Sequence, residues 1–150
     1  MELIDAVTDF SIEKDIVRPE YDVEFRISED REVFAWGRSL IPYQVYSALC
    51  CVAYTHEIPI NMEQLTEYSI NHSPYKSHIA VAYTVWNCSD TKGSGRSLIL
   101  ALQKHFSSHA NINRLVTLSP LTEMAKKFHL SNGATLLSTN PESYNFEYAI

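Results

Sequence analysis

Residues 78–106 read HIAVAYTVW (78–86), NCSDTKGSGR (87–96) and SLILALQKHF (97–106). The first segment is a continuous apolar run, the signature of a strand covered on both faces. The second is small, polar and glycine-containing. In the third, Leu98, Ile99, Leu102 and Phe106 recur at helical spacing. Strand, glycine loop and helix in that order imply an α/β domain whose loop feeds a helix start. A helix start presents free backbone N–H groups and a positive dipole end, and glycine lets a ligand come close. Lys92 and Arg96 add charge. Phosphate or pyrophosphate is the natural guest, and a plain tight turn is the competing reading. The loop is neither a G-x-x-x-x-G-K-[ST] nor a G-x-G-x-x-G motif.

Working outward, Val45–Tyr54 predicts a second strand apolar on both faces. Val23, Phe25 and Ile27 alternate with polar residues and predict a short strand. Ser28 would cap a helix running to Arg38. Arg114–Leu118 predicts a strand, and Ser119-Pro120 the start of a helix to Phe128. Asn132-Gly133 reads as a turn, followed by a hairpin of strands near 134–138 and 144–149. Residues 1–20 are weakly patterned and read as a loosely attached segment of one domain spanning 1–150.

The chain has 150 residues, enough for a core of its own, with 45% hydrophobic and 20% charged residues. Such a composition excludes a disordered tail or a coiled coil. Its net charge of −6 argues against nonspecific nucleic-acid binding. Cys50, Cys51 and Cys88 have no metal-ligand spacing and read as buried thiols of a reducing compartment. His56-Glu57 is not followed by the second histidine of a zinc motif, so no metal is expected. The acidic start Met1–Asp5 does not read as a signal peptide, and the longest apolar run is too short for a bilayer. A cytoplasmic protein without membrane contact is the expectation, with an oligomer possible.

Two residues have both a structural and a chemical reading. Ser119 is a helix cap or a hydroxyl at a strand end, where α/β sheets place ligands. His129 is a helix-terminal cation or a proton donor. The tyrosines read mainly as core residues with a bonded hydroxyl.

Together these segments resemble the catalytic domain of malonyl-CoA decarboxylases, which has the Gcn5-related N-acetyltransferase (GNAT) fold. The resemblance spans roughly residues 45–148. Gly95-Arg96-Ser97-Leu98-Ile99 is similar to that family's helix start. Val116–Pro120 resembles its Leu-Ser-Pro strand end. Phe128-His129-Leu130-Ser131-Asn132-Gly133-Ala134 resembles its Phe-His-Leu-x-Asn-Gly-Ala motif. Asn145-Phe146-Glu147-Tyr148 is similar to its last strand, and Val52–His56 with Pro59 to an earlier one. The family's helical insertion between the Ser and His motifs is reduced here to residues 121–128.

The resemblance implies a GNAT-like α/β fold: a mixed central sheet, flanking helices and a C-terminal β-hairpin. It implies Ser119 and His129 as a catalytic pair, with His129 oriented against Ser119 and protonating the carbanion. It further implies a coenzyme A thioester bound at Trp86, Asn87, Thr91, Lys92, Gly93, Ser94, Gly95 and Arg96. Backbone N–H groups near Trp86 and Asn87 would form an oxyanion hole. The acyl carrier is coenzyme A or acyl carrier protein, and the acidic charge balance favours coenzyme A. An N-acyltransferase or a noncatalytic interaction protein on the same fold are the alternatives.

Overall fold

The computed structural model describes residues 1–40, 42–71 and 73–150. Among them, strands β1 (Glu2–Ile4), β2 (Arg31–Leu40), β3 (Tyr43–Thr55), β4 (Ile79–Asn87), β5 (Arg114–Thr117), β6 (Ser119–Pro120), β7 (Thr135–Thr139) and β8 (Ser143–Tyr148) form one sheet. Helices α1 (Val23–Ile27), α2 (Met62–Tyr68), α3 (Ser94–Ser107) and α4 (Glu123–Ser131) flank it. The path is β1-β2-β3-β4-β5-β8-β6, with β7 also on β8. Every pair is antiparallel except β4 with β5. The mixed sheet, flanking helices and C-terminal hairpin match the expectation from sequence.

Two cores follow from the alternation of side chains along β3 and β4. Cys50, Val52, Ala80 and Ala82 face the layer holding Leu98, Ile99, Leu102 and Phe106 of α3. Cys51, Ala53, Val81 and Tyr83 face the opposite layer with Met62 and Leu65 of α2. Each fully buried leucine or phenylalanine contributes about 1.5–3 kcal/mol. This two-sided burial is why both central strands are apolar throughout.

Three expectations from the pattern are corrected. Residues 23–27 are helix α1, not a strand. Asp22 caps it by accepting from the Phe25 N–H, and Arg26, counted as outward-facing, is fully buried. Residues 31–40 form strand β2, not a helix. Val33 and Ala35 go to one core and Phe34 to the other, a period of two. Ser119-Pro120 does not open a helix but pairs with Tyr144 and Ser143 of β8. Helix α4 begins three residues later, where the Thr122 side chain accepts from the Ala125 N–H. The expected turn at Asn132-Gly133 is present and closes α4: Gly133 has φ +96° and Ala134 N–H reaches His129 O at 3.1 Å.

Residues 1–20 are not loosely attached. β1 pairs with β2, and Asp15 is buried against Arg26 at 2.6 Å. The pattern missed this because the ties are long-range, from β1 on β2 and Val7 in the core to Asp15 on Arg26.

Candidate active site

β4 and β5 pair only from Ile79/Arg114 to Ala82/Thr117, after which they part. A last bond runs from Leu118 N–H to Ala82 O at 2.9 Å. The β3–β4 register skips Tyr83, an extra residue in β4. Such a bulge re-aims the strand. Ala82 and Tyr83 therefore both turn their carbonyls to the β5 side, where Leu118 N–H and Arg18 Nε bind them. Beyond it, Cys88 N–H points back to Ser47 O on β3. Alternation then leaves the N–H groups of Val85 and Asn87 on the open side and turns that of Trp86 to β3. The open N–H groups near Trp86 and Asn87 are thus those of Val85 and Asn87.

A cavity of about 790 Å³ occupies the gap. Ser119 and His129 both line it, as do Trp86, Asn87, Gly93, Gly95 and Arg96. Thr91, Lys92 and Ser94 do not. Thr91 and Lys92 are exposed, and Ser94 is buried with its hydroxyl donating to Thr91 O at 3.2 Å.

The start of α3 is shaped for a close-lying ligand. Gly93 caps it with φ +82°, which favours glycine, and no side chain satisfies the helix end from that position. Gly95 N–H donates to Asn87 Oδ1 at 3.0 Å. A Cβ on Gly95 would lie 3.3 Å from that oxygen, a tight contact that the Asn87 side chain would have to yield to by a few tenths of an ångström. Arg96 reaches across to α4, donating to Asn132 Oδ1 at 3.3 Å and Ser131 O at 3.4 Å.

Ser119 is 3% exposed, and its hydroxyl pairs with Thr117 Oγ1 at 2.9 Å. Thr117 Oγ1 also accepts from Phe146 N–H at 3.1 Å. Asn145 Nδ2 donates to Thr117 O at 2.8 Å and Pro59 O at 3.0 Å. A neutral, buried clamp thus holds the β5–β6 turn.

His129 is 5% exposed and packs among Phe128, Phe146 and Tyr148. Its Nδ1 lies 2.7 Å from the Tyr148 hydroxyl. Burial lowers its pKa from 6.5 to about 4, so the ring is neutral at pH 7. Among the described residues no hydrogen bond joins His129 to Ser119. The expected orientation of one against the other is therefore corrected. The reason is register: Ser119 pairs with Tyr144, whereas Tyr148 lies four residues further along β8, opposite Leu115. The apolar cage disfavours the charged ring.

The other nucleophiles are quiet. Burial raises the thiol pKa of Cys50 and Cys88 and pushes that of Cys51 up to about 11. Among the described residues no group of three or more His, Cys, Asp or Glu side chains is placed to hold a metal ion.

The pattern missed two sets of residues. Tyr148 and Asn132 lie within the motifs that pointed to His129, but only the fold shows Tyr148 on the imidazole and Asn132 in the cavity wall. Lys14, Ile16 and Val17 also line the cavity, and no local signal marks them. Arg18 Nε donates to Tyr83 O at 3.3 Å and Nη2 to Leu118 O at 3.1 Å, bridging the parted strands. Lys14 Nζ donates to Cys88 O at 3.0 Å.

Neither a protein-family model nor a curated protein matches the sequence. Solved structures do match in fold. Malonyl-CoA decarboxylase from Agrobacterium vitis superposes with a TM-score of 0.68 at 16% identity, covering 93% of this chain and 56% of that one. Malonyl-CoA decarboxylase from Cupriavidus metallidurans gives 0.63 at 14% identity, covering 99% and 60%. Arabidopsis thaliana NAA60 in complex with acetyl-CoA gives 0.55 at 15% identity, covering 87% and 84%. This chain thus spans less than two thirds of either decarboxylase chain. Its fold is the GNAT-like α/β fold.

Proposed function

We propose that this chain binds an acyl-coenzyme A thioester and decarboxylates a malonyl group to an acetyl group. One observation carries the reading: a single cavity joins the start of α3 to Ser119 and His129. The fold likeness to two malonyl-CoA decarboxylases and to a protein in complex with acetyl-CoA supports it.

In this reading the pyrophosphate sits on the N–H groups at the start of α3, beside Arg96. The pantetheine arm follows the open edge of β4. Asn87 N–H faces the thioester oxygen, where negative charge develops. Ser119, held by Thr117, donates to the carboxylate or to the enolate that replaces it. Phe128 and Phe146 give His129 an apolar surround, in which such bonds are stronger than in bulk water. No resident metal is assigned a part.

The segment Lys14–Arg18 favours a reaction without a bulky second substrate. It closes part of the gap, and Arg18 occupies two carbonyls there. An amine acceptor would need that space.

Thermal unfolding with coenzyme A, acetyl-CoA and malonyl-CoA tests the reading. A ligand at a hundred times its dissociation constant stabilises the fold by about 2.7 kcal/mol. All three are expected to raise the melting temperature, and Arg96→Ala to weaken each shift. No shift with any of them overturns the assignment.

A further inference from the structure

We infer that Tyr148 is a positioning residue: its hydroxyl donates to Nδ1 of His129, places the imidazole proton on Nε2, and makes His129 a hydrogen-bond donor to the thioester oxygen. The substrate in this statement rests on the proposed function; the tautomer does not.

Donor accounting carries the argument. A phenol has one proton to donate, and a buried donor left unused is costly. Tyr148 is 2% exposed. Among the described residues its hydroxyl meets His129 Nδ1 at 2.7 Å and the Asn132 side chain, whose Oδ1 already accepts from Arg96, so the amide offers the phenol a donor and not an acceptor. If Nδ1 carried the proton instead, the phenol proton would be buried without an acceptor. The neutral ring therefore accepts at Nδ1 and is protonated at Nε2. Phe128, Phe146 and Tyr148 pack around the ring, and among the described residues burial, not a neighbouring charge, is what shifts its pKa. With Nδ1 taken, Nε2–H is the polar group the ring has left to offer the cavity that it lines.

The chemistry follows from a neutral donor. The bond between the malonyl α-carbon and its carboxylate breaks. Its electron pair enters the thioester enolate, and CO₂ leaves. Nε2–H stabilises the enolate oxygen without giving up its proton, as a preorganised donor does. Water supplies the proton that ends on the α-carbon and leaves as hydroxide. Atoms and charge balance with His129 neutral throughout.

Nitrogen NMR of protein labelled at histidine tests the tautomer directly, with His129→Gln to assign the signal. The expected result near neutral pH is a protonated Nε2 and a bare Nδ1. Protonated Nδ1, or a charged ring, overturns the inference. Tyr148→Phe keeps the ring's shape and removes the donor. It is expected to give mixed tautomers and to lower kcat by about ten- to a hundredfold, as for groups that orient a functional ring, with KM little changed. Wild-type kcat is expected to hold steady through neutral pH and to fall only as pH nears about 4, where the ring takes a proton. A rate that falls as pH rises through neutrality marks an imidazolium acid and overturns the inference. If malonyl-CoA is not turned over at all, the proposed function fails, while the NMR result still decides the tautomer.

Discussion

Two buried polar networks flank the gap between β4 and β5, and they are built from different chemistry. On one side, Asp15 and Arg26 form an ion pair at 2.6 Å with both side chains fully buried. Thr84 Oγ1 donates to Asp15 Oδ1 at 3.0 Å, and Arg26 also binds Arg18 O and Tyr21 O. On the other side, Thr117, Ser119 and Asn145 form a clamp without a formal charge. The charged network ties the N-terminal segment to α1 and β4. The neutral one fixes a hydroxyl. Losing half of a buried ion pair strands a charge, whereas losing one member of a neutral clamp removes a hydrogen bond or two. The first network is thus architectural, and under the proposed function the second holds the hydroxyl that meets the substrate.

Breaking the ion pair has the largest expected effect. Arg26→Leu leaves Asp15 buried without its partner and is expected to cost about 3–5 kcal/mol in denaturant unfolding. The double variant Asp15→Leu/Arg26→Leu is expected to recover a good part of that loss. A single variant as stable as wild type contradicts the structural role.

Acid comes next, and it acts on the other side of the gap. His129 has a folded pKa of about 4 against 6.5 for the free side chain. Between those values the unfolded chain binds the proton and the folded chain does not. The contribution is thus complete above pH 6.5 and is lost progressively as pH falls to about 4, roughly 3 kcal/mol in all. His129→Gln is expected to flatten that part of a stability-versus-pH curve.

Ser119→Ala separates chemistry from architecture. Turnover of malonyl-CoA is expected to fall by about a hundredfold, or ~2.7 kcal/mol in barrier, with little change in melting temperature. Asn145→Ala, which strips Pro59 O and Thr117 O of a donor, is expected to cost about 1–3 kcal/mol of stability in a urea titration.

The smallest effect belongs to the surface pair Arg114–Glu147 at 2.7 Å, with 38% and 26% of the two side chains exposed. The hydrogen bond from Arg114 holds the Glu147 pKa below its usual range. Its stabilisation is present above the unfolded carboxylate pKa and fades as pH falls through the lower folded value. Solvent screening keeps it below about 1 kcal/mol, so Glu147→Gln is expected to shift the urea midpoint only slightly.

This contrast also explains what was legible in the sequence. The order of β4, glycine loop and α3 was readable because periodicity and glycine placement are local. The motifs singled out Ser119 and His129, and the fold puts both on the wall of one cavity. The segment from Val23 to Leu40 was not. Its alternation at 23–27 hides a helix that buries its one arginine, and the partner of that arginine lies at Asp15. Arg18 was equally invisible, because its acceptors are the backbone carbonyls of Tyr83 and Leu118. Polar groups that meet across the fold leave no local period. The surroundings of Ser119 and His129 were not legible, because their partners, Thr117 and Tyr148, are set by the register of β8.

The most direct test of the central claim is to incubate the chain with malonyl-CoA and follow both CO₂ and the thioester by mass spectrometry, beside Ser119→Ala. The account predicts conversion to acetyl-CoA with stoichiometric CO₂, sharply reduced in the variant. Malonyl-CoA recovered intact from the wild type, or equal conversion by both proteins, would contradict it.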